Sequence, residues 1–128
     1  MTLQAAVLLG LLLLAHFAGD FTPLATRSMQ RAKAIGTPVG PIALHALVHA
    51  ILVTIVVAAA ASPGADILAL AAAVEFVTHF GLDWGRGVLG RSVPALFDPS
   101  RQAFWTALGL DQAAHAIVLV GIALLVAS

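Results

Sequence analysis

All five histidines of the chain fall in helical i,i+4 pairs: His16 with Asp20, His45 with His49, His79 with Asp83, and Asp111 with His115. Residues four apart on a helix share a face, with Cβ atoms about 5–6 Å apart. Imidazole and carboxylate together suit Zn²⁺, Fe²⁺ or Mn²⁺; Mg²⁺ and Ca²⁺ prefer all-oxygen sites and Cu⁺ prefers sulfur. Eight donors exceed the needs of one tetrahedral zinc. Two ions, or one ion with Asp–His pairs orienting its ligands, would use them. Ions ~3.5–4 Å apart are the arrangement that activates water for hydrolysis.

Glu75 lies one turn before His79, so Glu75, His79 and Asp83 form one stripe. It reads as a general base, a bridging ligand or a proton-relay carboxylate, or equally as a protonated Glu bonded to a neighbouring helix. Gln112, beside Asp111, reads as a polar contact between helices.

The elements that must position these groups are apolar. Of 128 residues, 61% are hydrophobic and 9% charged, too few charges for the surface of a soluble domain. The apolar residues form four blocks, about 3–21, 41–61, 66–84 and 103–127, each near the ~20 residues that cross a bilayer core. One of the four pairs sits in each block. Long Ala- and Leu-rich runs exclude the alternating ~10-residue strands of a barrel. The first block lacks a basic flank and a small-residue cleavage site, so it reads as a retained span. Cysteine is absent, which removes thiolate and disulfide chemistry. Zero net charge and no basic tail argue against nucleic acid.

All six basic residues lie in two connections: Arg27, Arg31 and Lys33 in 22–40, and Arg86, Arg91 and Arg101 in 85–102. The positive-inside rule puts both loops in the cytoplasm and both termini across an inner membrane. Trp84 and Trp105 flank the second loop, as an interfacial aromatic belt would. Arg27, Arg31 and Lys33 offer a place for an anionic lipid headgroup, or serve only as a topology signal. The turn residues predict Pro41 at the start of the second helix, Asp66 as cap of the third, and Asp98–Pro99 as the start of the fourth. The stretch 25–34 suits a short interfacial helix.

The chain also repeats itself. His16-Phe-Ala-Gly-Asp-Phe21 matches His79-Phe-Gly-Leu-Asp-Trp84, and Leu44-His-Ala-Leu-Val-His-Ala-Ile51 matches Leu110-Asp-Gln-Ala-Ala-His-Ala-Ile117. Position 12, the counterpart of Glu75, holds leucine. Alternate helices run the same way across the membrane, so the halves, about 1–61 and 66–128, form a parallel repeat. The predicted fold is an all-α integral membrane protein: one domain over 1–128, a four-transmembrane-helix bundle of two helical hairpins. The four pairs would then share one layer at the basic-loop end. A single pair near a helix end also fits an ion pair at the water interface; four at one level favour a shared site.

The H-x-x-x-D-F start, the K-x-x-G at Lys33–Gly36, the H-x-x-x-H, the central H-F-x-x-D-aromatic and the late L-D-Q-x-x-H resemble bacterial membrane proteins grouped as domain of unknown function 3307. That family has a glutamine soon after its first Asp-Phe; here Thr22–Pro23–Leu24 follows, and no role passes to that position. The resemblance spans essentially the whole chain and implies one membrane unit, with no particular reaction.

The leading expectation is a metal-binding membrane protein, zinc before iron or manganese. It would act as a hydrolase on a lipid-like substrate at the inner leaflet, with Glu75 or an Asp moving protons. A dimeric zinc transporter is the second class. A haem b or structural subunit of a larger membrane complex is the third, although haem has no use for the companion carboxylates. Homo-oligomerisation and the bilayer itself are the partners these readings require.

Overall fold

The computed structural model describes residues 2–127. It is all-helical over those residues: α1 Leu3–Phe21, α2 Arg27–Ile35, α3 Val39–Ala61, α4 Ala65–Ser92 and α5 Gln102–Val126, with a 3-10 turn at Pro94–Phe97 before α5. Four of them, α1, α3, α4 and α5, are long and apolar enough to cross a membrane. They pack as a ring in which each touches two neighbours, α1 on α3, α3 on α4, α4 on α5 and α5 back on α1. Hairpins facing each other across a central axis have that order, with alternate helices on opposite sides.

The two ends of the bundle differ in content. Far from the basic loops, Leu8, Leu12, Val53, Val57, Leu119 and Ile122 interlock with the small residues Ala71 and Ala123 in a dry core. Lipid is as apolar as these side chains, so close van der Waals packing and small residues hold such helices together. Toward the basic loops the buried stripe turns polar, with histidine at positions 16, 45, 49, 79 and 115 and acid at 75 and 83.

The first basic connection holds the short helix expected over 25–34, and the second is more helical than its turn residues predict. α2 forms within the first, where the Thr26 hydroxyl accepts from the Met29 N–H. Gly36 ends α2 in a left-handed conformation (φ 68°) open to glycine at little cost. In the second, α4 does not stop at Trp84 but continues to Ser92, 28 residues or about 42 Å. Pro94 ends it, since the residue before a proline avoids helical geometry. The extra turns of α4 carry Gly87, whose bare Cα lets the end of α2 approach; a Cβ there would meet the Lys33 carbonyl and the Gly36 backbone.

The local capping expectations need correction. Asp98 does not begin α5. Its carboxylate instead accepts from the Ser100 N–H at 3.0 Å and hydroxyl at 2.7 Å, a local turn that competes with capping, and α5 starts at Gln102. Those two bonds hold the Asp98 carboxyl below the ordinary range. Asp66 stands in the first turn of α4 with Gly64 as the cap residue; it complements the helix dipole rather than capping. α3 begins at Val39, so Pro41 lies at its third position, where a missing N–H is still free of cost.

Candidate metal centre

Seven of the eight paired residues, with Glu75, meet inside the basic-loop half of the bundle. The five imidazoles touch one another, with ring centroids 3.7 Å apart for His49 and His79, and 4.3–5.4 Å for the other contacts. The i,i+4 spacing presents each pair to the axis, and the ring order of the helices makes the four stripes converge. Gly19 supplies room at the tightest point: a Cβ there would collide with the His49 ring.

Donor atoms close enough to share an ion form three overlapping sets. His16, His49, Glu75 and His79 make the inner one; Asp20, His45, His49 and His79 make the outer one; His79, Asp83 and His115 make the third. His79 belongs to all three. Its Nδ1 lies 3.1 Å from Glu75 Oε1, and its Nε2 lies 3.4 Å from Asp83 Oδ2. Glu75 is thus a member of the inner set.

The outer set already holds a cation, Lys33. Its ammonium lies 3.0 Å from Asp20 Oδ1, 3.1 Å from Asp83 Oδ2 and 2.9 Å from His45 Nε2. Burial acts to lower its pKa, but the Asp83 and Asp20 carboxylates beside it outweigh that and hold it above the ordinary lysine range. It therefore stays charged and donates to Asp20, while His45 Nε2 lies 2.9 Å from both the ammonium and Asp20 Oδ1. The sequence places Lys33 with Arg27 and Arg31 as a headgroup contact; the structure splits the trio. Arg27 and Arg31 are exposed, whereas Lys33 turns inward from α2. Only the folding back of α2 across the bundle end brings it there, and no helical period in the sequence marks that.

Asp111 is the pair member that does not join. Its carboxylate accepts from Arg86 Nη1 at 3.3 Å, and its backbone carbonyl accepts from His115 Nδ1 at 2.8 Å. Gln112 takes a place in the site that Asp111 leaves, donating to Asp20 Oδ2 at 3.1 Å. Arg86, Asp111, Gln112 and Asp20 thereby form a polar chain from the α4–α5 seam to the outer set.

The donor atoms suit a bound ion. Among the described residues, buried atoms that make no hydrogen bond within the chain include both ring nitrogens of His16, His45 Nδ1, His49 Nε2, His79 Nε2 and His115 Nε2. A buried polar atom without a partner costs about 1–3 kcal/mol, so a cluster of them calls for an ion or ordered water. The inner set, three imidazoles and one carboxylate, matches the ligand types and number of a zinc site. A cavity of about 400 Å³ leads to the outer set from the basic-loop side, lined by Asp20, Lys33, Asp83, Arg86 and Gln112 and walled by Phe97 and Phe104.

The model of one protein family, described as a protein of unknown function (DUF3307), matches residues 8–128. No curated protein and no solved structure matches the chain.

Proposed function

We propose, for a chain that belongs to the DUF3307 family through the match over residues 8–128, that it is a metal-dependent membrane enzyme. In this reading it is a hydrolase acting on a lipid-like substrate at the cytoplasmic leaflet. The observation that carries the proposal is the inner set: His16, His49, His79 and Glu75 converge in a buried interior. The Nε2 atoms of the three rings make no hydrogen bond within the chain, although each stands 3.4–3.5 Å from the Asp20 or Asp83 carboxylate. Zinc fits the set best, with iron and manganese as the other candidates. A bound ion would supply Lewis acidity toward water or a substrate oxygen. Glu75 Oε1, 3.1 Å from His79 Nδ1, would orient that ring, and its other oxygen would bind the ion or take a proton. Lys33 and Arg86 face the cavity where the polar end of a substrate would enter. Arg27 and Arg31, exposed on α2, would meet anionic headgroups at the surface. Both basic loops are assigned to the cytoplasm, with the termini opposite.

Two observations favour this over the other classes. Leu8, Leu12, Val57 and Leu119 close the far half of the bundle, so a dimeric zinc transporter would have to pass its ion between two copies rather than through the buried donor sets. Haem would need its macrocycle among rings already in mutual contact.

Elemental analysis of the purified protein tests the reading. The wild type should carry a transition metal, His79→Ala should lose it to background, and Asp111→Asn should retain it. A metal-free wild type with all eight paired residues intact overturns the proposal.

A further inference from the structure

A second cavity, about 640 Å³, runs along the outer surface of the α4–α5 seam. Leu82, Leu89, Leu96 and Ala107 make its lining mainly apolar, with Gln102 and Thr106 among the polar members. Two of its lining residues, Arg86 and Asp111, also line the polar cavity that leads to the outer set. The ion pair between them, 3.3 Å long, is therefore the wall between an apolar groove outside and a polar chamber inside. One face of the wall suits hydrocarbon and the other suits a charged group.

The Arg86 guanidinium is only partly used. Nη1 reaches Asp111 and the group lies 5.3 Å over the Phe97 ring, while its buried Nε makes no hydrogen bond. A guanidinium presents its donors as a planar fork that fits two oxygens of one phosphate or carboxylate. Lys33 lines the same chamber. We propose that the α4–α5 seam is a lateral entry for a phospholipid: one acyl chain lies in the groove and the phosphate crosses to Arg86 on the chamber side. The inference rests on the reading above that the ligand is lipid-like, and it names the class and the route. The Gln112 amide and the Lys33 ammonium are the further donors in the chamber that a phosphate on Arg86 could meet, whereas the Asp111, Asp20 and Asp83 carboxylates repel it and hold it at the Arg86 end. Groove and chamber adjoin at a single ion pair, which is what an amphiphile of this shape requires.

Native mass spectrometry of the full chain from maltoside micelles tests it, with phosphatidic acid or the diacylglycerol of the same chains added and metal content measured on the same samples. One phosphatidic acid should be retained where diacylglycerol is not. Retention should fall roughly 10- to 100-fold in Arg86→Gln, the effect of losing a charged hydrogen bond to phosphate. Ala107→Trp, which fills the groove, should lower it similarly. Val77→Trp, on an exposed part of α4 away from the seam, should leave it unchanged. Equal retention of the two lipids overturns the inference, as does an equal effect of Val77→Trp and Ala107→Trp. Selective retention by a metal-free protein would support the entry while removing the metal reading. Metal without lipid selectivity would do the reverse.

Discussion

His79 reaches three donor sets and Asp111 reaches none, although the sequence presents them as equivalent members of i,i+4 pairs. The pairs themselves are legible because helical periodicity fixes which side chains share a face. Which atoms finally meet depends on neighbouring helices, and Arg86 draws Asp111 aside. Lys33 is the clearest case of a residue the sequence misplaces. Its ammonium is the counter-charge for two buried carboxylates, and removing one partner of a buried pair leaves the other charge uncompensated. Lys33→Met should therefore destabilise the protein by roughly 3–5 kcal/mol, read from chemical unfolding in detergent. Unfolding unchanged by that substitution would mean that Asp20 and Asp83 are satisfied without it.

At the scale of elements, the four spans follow from composition and length, while the connections do not. α2 and the last two turns of α4 are held by each other: Gly87 lets the Gly36 end of α2 sit against the α4 backbone, and that contact turns Lys33 inward. Glycine in a helix reads in sequence as a weak point; here one is a contact surface and its neighbour is not. Gly87→Ala should cost about 1–3 kcal/mol through overpacking, because the obstacle is backbone and cannot rotate away. Gly85→Ala, two residues earlier with open space around it, should be neutral or raise stability by up to about 1 kcal/mol through helix propensity. Thermal unfolding of the two variants side by side reads the difference. Equal shifts would show that α2 does not rest on α4 as described.

For the whole molecule, the sequence supplies four spans, the repeat and the family resemblance, and the structure adds the ring that joins them. The two chambers at the α4–α5 seam were not legible, because they arise from surfaces contributed by separate elements. Orientation is a prediction at this scale. The chain has no cysteine, so single thiols can be placed at will. Ser62→Cys, in the exposed turn between α3 and α4, should react with a membrane-impermeant maleimide from outside the cell. Ser100→Cys, in the second basic loop, should react only after the membrane is opened. The opposite pattern would invert the topology and move the donor sets to the other leaflet.

The ring also bears on how the chain is joined up. α5 packs on α1 across a seam with no covalent link, far less extensively than α3 packs on α4 beside their short turn. That turn lies at the end opposite the donor sets and contributes no atom to them. Connectivity and architecture are therefore separable here. Two hairpins, one spanning α1 to α3 and the other α4 to α5, would have to re-form the α3–α4 and α1–α5 surfaces between them to rebuild the centre, and the first of these is the most extensive in the bundle.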